Sequence, residues 1–307
     1  MIDIDFWLQV LLLALLFDIL SGEPPASIHP VVWMGKLIGL LVRHAPSRHR
    51  RLYGFFMAGF CVGAAALAGW MIASMGTGIV ALIAAAFFLK SSFSIRMLLV
   101  SALSIKKDLE AGRIEKVRGD LKTFVGRDTS KLNEHQSASA VIESVAESFV
   151  DGILSPLFYF LLFGLPGALA YRMANTLDSM VGYKKEPYAE LGYASARLDD
   201  IANFVPARLS MAFIFMASAL FGKPMGAAKV CFRDCYKTAS PNSGWSMAAV
   251  SGALGVRLEK IGYHILGEEY NAPEAFQIKK AVRIVGFSSF LAVAGIFLLG
   301  SVPLVRF

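Results

Sequence analysis

Residues 53–74, YGFFMAGFCVGAAALAGWMIAS, carry no charged side chain. As a helix rising about 1.5 Å per residue, the stretch is about 33 Å long, enough to cross the hydrocarbon core of a bilayer. Three further apolar runs follow. GIVALIAAAFFLKSSFSIRMLLVSAL (78–103) is interrupted by Lys90 and Arg96; FVPARLSMAFIFMASALFG (204–222) and IVGFSSFLAVAGIFLLGSVPLV (284–305) complete the set. The N-terminal run FWLQVLLLALLFDIL (6–20) carries Asp18 and lacks a basic flank and a small-x-small cleavage site, so it reads as a retained, slightly short membrane helix rather than a signal peptide. Composition agrees: 56% of the 307 residues are hydrophobic and 17% charged, against about 25% charged in soluble domains, and mean hydropathy is +0.56. The pattern predicts an all-α integral membrane protein with about four to six membrane-embedded helices, amphipathic cytoplasmic helices and re-entrant segments.

The net charge is +7, and basic residues gather in 36–51, 106–131 and 223–283, whereas the SMGTG loop (74–78) has none. The positive-inside rule places the three basic regions in the cytoplasm and SMGTG outside. Because the basic residues flank membrane runs, no nucleic-acid partner is expected. Cys61 lies in a span, and the Cys231–Cys235 pair lacks the second pair or clustered His of a zinc site.

The chain reads as one polytopic domain over 1–307, with 106–152 as a cytoplasmic helical segment and 223–283 as a polar, more irregular one. In the first, IKKDLEAGRIEKVRGDLKTFV (105–125) reads as an amphipathic helix, GRDTSKLN (126–133) as a turn, and VIESVAESFVDG (141–152) as part of a second helix. There Glu143, Glu147 and Asp151 recur every fourth residue and stack on one face, opposite Val141, Ile142, Val145, Ala146, Phe149 and Val150. Like charges at this spacing repel, so a cation or basic surface from outside the helix should compensate. ILSPLFYFLLFGLPGALAYRMA (153–174) is apolar but broken by Pro156 and Gly-Leu-Pro-Gly, so it either crosses the membrane or enters and returns as a hairpin. The run at 204–222 must do likewise if both flanking basic regions are cytoplasmic.

Polar residues beside apolar runs suggest function, and here they come in strings. SGEPPASIHPVVWMG (21–35) holds Glu23 and His29; VGRDTSKL (125–132) holds Arg127, Asp128 and Thr129. YRMANTLDSMVGYK (171–184) sets Arg172, Asn175 and Asp178 three residues apart on one helical face. ARLDDIANFVPAR (196–208) holds Arg197, Asp199, Asp200, Asn203 and Arg208, and SPNSGW (240–245) holds Asn242 in a turn-forming context. Carboxylates with Asn are hard oxygen ligands suited to Mg²⁺, and arginines grip phosphate or carboxylate. Taken singly, each string also reads as a solvated face, an interfacial cluster or a turn. Together they point to a membrane enzyme handling phosphates with a divalent metal. No Walker-A loop or metal-binding His motif is present.

In order and with natural spacing over residues 18–265, GEPPASIHPVVWMG, VGRDTSKL, IESVAESFVDGILSPLFYF, GLPGALAYRMANTLDSMVGYK, ARLDDIANFVPARL and SPNSGWSMAAVSGALGVRL resemble the adenosylcobinamide-phosphate synthases of cobalamin biosynthesis. Ser148 stands where that family's pattern has Asn. The resemblance implies a multi-pass ligase of the inner cell membrane with its active site facing the cytoplasm. Its corrinoid substrate would be adenosylcobyric acid, whose free propionate is joined to (R)-1-aminopropan-2-ol O-phosphate, or the free amino alcohol, at the expense of ATP with Mg²⁺. An acyl phosphate attacked by the amine is the chemistry such a ligation needs.

On that basis Glu143, Glu147, Asp151, Asp199 and Asp200 are candidate metal ligands, with Asp178 as a further one. Arg127, Arg172, Asn175, Arg197, Asn203, Arg208 and Asn242 are candidate substrate-binding residues; Asp128, His29 and Asp178 are candidate catalytic residues. ATP access favours re-entrant or tucked forms for 153–174 and 204–222. Three other readings compete: a Mg²⁺-dependent transferase acting on a lipid phosphate, a transporter using Asp18, Lys90 and Arg96, and a scaffold for other late cobalamin-assembly enzymes.

Overall fold

A computed structural model describes residues 4–126, 128–183 and 185–300. In chain order its helices begin with α1 (Ile4–Ser21), α2 (Pro30–Arg43), α3 (Arg50–Ala73), α4 (Ile79–Ser92), α5 (Ile95–Glu110), α6 (Ile114–Phe124) and α7 (Glu134–Phe149). A π-helical turn, Val150–Leu154, leads into α8 (Ser155–Val181), α9 (Tyr193–Ala202), α10 (Phe204–Phe221), α11 (Pro224–Asp234) and α12 (Ser243–Leu254). A hairpin of β1 (Leu258–Lys260) and β2 (His264–Leu266), paired Leu258 to Leu266, precedes α13 (Ala275–Gly300). Five helical runs are long and apolar enough to cross a membrane: Arg50–Ala73, Ile79–Glu110, Glu134–Val181, Phe204–Phe221 and Ala275–Leu299, beside the shorter Phe6–Ser21. The protein is an all-α membrane protein apart from that small hairpin.

Residues sort into two compact units. Of the described residues, those in 4–94, 155–202 and 294–300 form the first and those in 95–154 and 203–293 the second. Both polar segments singled out in the sequence, 106–152 and 223–283, fall in the second unit.

In the first unit α3 packs along α8, and α1 against α4. Helix α2 starts where its sequence says it should: His29 is the N-cap and accepts the Val31 amide on Nδ1, and Pro30 occupies the first turn, where no amide donor is needed. Helix α8 is not straight. Gly164 has φ 63° and ψ −155°, a conformation that only glycine adopts without strain. The rings of Tyr159 and Tyr171 stack at 5.3 Å and 10°. Twelve residues of uninterrupted helix would separate them by about 18 Å, so the chain doubles back. Residues 155–163 and 165–181 form a helical hairpin whose turn is the Gly-Leu-Pro-Gly string, the fold-back that a re-entrant segment requires. By contrast α10 is one helix without a reversal.

In the second unit α7 is the packing centre. Val141, Ile142, Val145, Ala146 and Phe149 are all fully buried, as the apolar side of the helix predicts. Its start is fixed by a capping box, Asn133 and Gln136 each bonding the other's backbone amide, a device worth about 1 kcal/mol. The expected single helix over 105–125 is two helices. Residues 111–113 break it, Gly112 adopting φ 68°, and Asp108 takes Arg113 and Lys116 from beyond the break. The 223–283 segment is more regular than its Gly, Pro and Asn content suggests. α11 and α12 cross so closely that a Cβ on Gly252 would lie 2.0 Å from the Gly226 carbonyl oxygen. The β-hairpin docks on α7, with the Glu259 amide donating to Ser139 Oγ at 2.8 Å.

Candidate functional site

The hairpin of α8 and the short α9 bring two of the polar strings together within the first unit. Along 171–178 the side chains of Arg172, Asn175 and Asp178 are half-buried, while Tyr171, Met173, Ala174, Thr176 and Leu177 are buried. The three polar residues therefore share one face, as their spacing predicts. Asn175 Nδ2 donates to Asp199 Oδ1 of α9 at 3.2 Å. Asp200, one residue on, lies 3.8 Å from Arg197 Nη1. Tyr159, on the first arm of the hairpin, donates its hydroxyl to the Ala202 carbonyl at 3.0 Å, which ties the end of α9 to the fold-back. Asn175 and Asp199, with the Arg197–Asp200 pair, thus meet across α8 and α9, and Arg172 and Asp178 share the face of α8 that carries Asn175.

At the start of α9, the Arg51 and Arg197 guanidinium carbons lie 3.8 and 5.5 Å from the Tyr193 ring centroid. A hydrogen bond from Arg197, with Arg51 in support, holds the Tyr193 phenol below its usual pKa. Arg50 donates to the Pro187 carbonyl at 3.0 Å, so the base of α3 grips the loop that joins α8 to α9.

The Glu23–His29 string forms a second cluster in this unit, and its partners were not evident in the sequence. Lys90 Nζ, buried in α4, lies 3.2 Å from Asp18 Oδ1 and 2.7 Å from Glu23 Oε1. His29 Nδ1 accepts the Val31 amide, so Nε2 carries the proton and donates to Glu23 Oε2 at 2.9 Å. Burial opposes ionisation of Glu23, but the hydrogen bonds from His29 and Lys90 outweigh it and bring its pKa down to about 2. Both ring nitrogens of His29 are engaged in this loop, which suits it to holding Glu23 rather than to taking a proton from a substrate.

In the second unit the acidic stripe separates. Glu143 is buried, and its Oε1 lies 3.4 Å from His264 Nε2 of β2. This contact turns Glu143 toward the hairpin. Glu147 is exposed, and Asp151 falls within the π turn, which shifts it out of the four-residue stack. Asn203 is buried at the start of α10. Arg208 Nη1 donates to Asn242 Oδ1 at 3.1 Å and to the Phe204 carbonyl at 2.6 Å, joining the ARLDDIANFVPAR and SPNSGW strings. Asn242 sits at the N-cap position of α12, yet its side chain makes no cap bond there.

Asp128 is exposed; the Ser130 amide donates to its Oδ1, and this bond together with the Ser130 side chain holds its pKa below the usual value. A carboxylate so stabilised is a weaker proton acceptor at neutral pH. Arg127 lies outside the described residues. A further ion cluster was missed altogether. Arg233 reaches both Asp234, which is fully buried, and Glu269, while Lys237 Nζ and the Gly267 amide also bond Asp234. Burial opposes the charge on Asp234, and these donors overcome it to keep the pKa low. The cluster pins the end of α11 to the residues after β2.

Among the described residues no three His, Cys, Asp or Glu side chains gather as a ready-made metal cage. Mg²⁺ needs less: one or two carboxylates suffice when nucleotide phosphates and water fill its other positions. Asp199 and Asp200, both half-buried on α9, supply that minimum, and the donor set is all oxygen. The pair fits a nucleotide-borne Mg²⁺ and not a structural ion held by protein alone.

Residues 11–285 match the family model described as CobD/Cbib protein. The chain is 44% identical to the cobalamin biosynthesis protein CobD of Dehalococcoides mccartyi, over 85% of this chain and 87% of that one. It is 40% identical to a probable cobalamin biosynthesis protein CobD of Methanothrix thermoacetophila, over 95% and 96% of the two chains. With the probable CobD of Methanothermobacter thermautotrophicus it shares 38% identity, over 94% and 98%. No solved structure matches it. The extent and level of these matches show that the chain belongs to the CobD/Cbib family.

Proposed function

We propose that this protein is the ATP-dependent amide ligase of cobalamin biosynthesis, joining the free propionate of adenosylcobyric acid to (R)-1-aminopropan-2-ol O-phosphate or the free amino alcohol. The observation that carries the reading is the bond from Asn175 to Asp199. It seats the ANTLDS and LDD strings, which between them carry carboxylates, an amide and an arginine-flanked acidic pair, side by side in a membrane protein of this family.

A carboxylate accepts an amine only when its oxygen can leave, and Mg-ATP supplies that activation. The chain's own task is positioning and charge stabilisation. Asp199 and Asp200 would hold the nucleotide's metal. Asn175 fixes the rotamer of Asp199 through its amide. Arg172 and Arg197 take phosphate oxygens, for which a planar guanidinium offers paired donors. Asp178, one turn from Asn175 on the same face, takes a proton from the substrate's ammonium and so frees the amine to attack. The site faces the cytoplasm, where ATP is found, in the inner cell membrane.

The test is nucleotide consumption by the purified, detergent-solubilised protein. ATP should be turned over only when both the corrinoid acid and the amine are present with Mg²⁺. Turnover independent of the acid, or a phosphorylated or transferred lipid in its place, would remove the ligase in favour of a lipid-phosphate transferase.

A further inference from the structure

Arg208 occupies an unusual setting for an arginine on an apolar helix. Its guanidinium carbon lies 3.4 Å from the centroid of the Phe204 ring and 5.0 Å from that of Trp245. Two neutral oxygens, Asn242 Oδ1 and the Phe204 carbonyl, share Nη1. Among the described residues no carboxylate comes within ion-pair distance of it, whereas Arg113, Arg118, Arg197, Arg233 and Arg257 each have one. The guanidinium is thus fixed in place without being neutralised. Asn242, only 4% exposed, is a rigid support for it.

The aromatic surface continues beyond Arg208. Tyr236 meets Trp245 edge to face at 5.9 Å and is itself 72% exposed; Phe204 is 52% exposed. Phe204, Arg208, Trp245 and Tyr236 therefore form a contiguous strip, apolar in body and with one fixed, uncompensated positive charge. Aromatic faces suit flat apolar ligands, and a pinned guanidinium suits a carboxylate, which it can meet with two parallel bonds.

We infer that this strip is a docking platform for a large, flat ring compound that carries a carboxylate. On the function proposed above, that compound is the corrinoid acid. Arg208 grips its free carboxylate, and Trp245, Tyr236 and Phe204 cover part of the ring system.

Equilibrium binding of adenosylcobyric acid to the full-length protein, without ATP or amine, tests this. The control ligand is adenosylcobinamide, in which the same carboxylate is already an amide. Arg208→Gln should weaken the acid about 10- to 100-fold, the range of a charge-assisted bond, and leave the amide nearly unchanged. Trp245→Leu and Tyr236→Leu should weaken both ligands about three- to tenfold. If Arg208→Gln fails to fold, as read by gel filtration, Arg208→Lys keeps the charge without the fork and should lose acid selectivity in part. Wild-type binding matched by all the variants would overturn the platform while leaving the ligase standing. A wild-type protein that binds neither corrinoid would overturn both. Variants that lose affinity for phosphatidylglycerol nanodiscs but not for corrinoids would assign the strip to lipid headgroups and overturn the inference.

Discussion

Tyr159 and Tyr171 stack ring on ring at 5.3 Å although twelve residues separate them. That contact exists only because the chain reverses at Gly164, and the reversal sets the second arm of α8, with Arg172, Asn175 and Asp178, alongside α9. Replacing Gly164 with Ala puts a Cβ on a backbone at φ 63°, ψ −155°, at a cost of about 1–3 kcal/mol. Thermal unfolding in detergent should show the loss, and turnover should fall with it. Unchanged stability would mean that the reversal does not depend on this residue.

The fold-back also makes a prediction about access. Single cysteines placed across 185–192, in the loop between α8 and α9, should resist a membrane-impermeant reagent applied from outside the cell and react after permeabilisation. Ready labelling from outside would place this loop, and the Asp199 site beside it, on the wrong side for cytoplasmic ATP.

Lys90 is buried with Asp18 and bonded to Glu23. Lys90→Met leaves two carboxylates facing each other without their cation, and breaking such a pair costs about 3–5 kcal/mol. The midpoint of thermal unfolding should drop accordingly, and Asp18→Asn combined with Lys90→Met should recover part of the loss. No recovery would show that the pair is not the source of the stability.

Glu23 also gives a pH dependence. Its folded pKa is about 2 against an ordinary 4.5, so the group binds fewer protons folded than unfolded. Its contribution is fully present above about 4.5 and is lost as pH falls toward about 2. Stability of the wild type should decline across that window, and Glu23→Gln should flatten the decline. Identical pH profiles for the two proteins would contradict the assignment.

Asn175→Ala should lower turnover about 10- to 1000-fold with little change in stability, because the residue is half-buried and its bond to Asp199 orients a carboxylate rather than closing a core. The split between activity and unfolding midpoint is the readout. A loss of stability in proportion to activity would make Asn175 a structural residue.

Membrane class, the helix at 53–74 and the hairpin option at 153–174 were legible because each rests on local properties: an uncharged run, or Gly and Pro at a break. The shared face of Arg172, Asn175 and Asp178 was legible for the same reason. The acidic stripe was not, because two things outside its periodicity intervene. A π turn after Phe149 moves Asp151 off the four-residue register, and His264, more than a hundred positions away, claims Glu143. Lys90 drew notice as an intramembrane charge, but its pairing with Glu23 spans sixty-seven residues, and nothing local in the sequence reports it. The break at Gly112 was visible in "EAGR" and was overridden by an amphipathic pattern that continues on both sides of it.

The most direct test of the proposed ligation is mass spectrometry of the reaction mixture. The folded, detergent-solubilised protein is given adenosylcobyric acid, aminopropanol phosphate and Mg-ATP. The account predicts a product lighter by one water than acid plus amine, formed only with ATP and absent with Asp199→Asn or Asp200→Asn protein that remains folded. Folded wild-type protein that yields no such product, or variants that form it at the wild-type rate, would contradict the account.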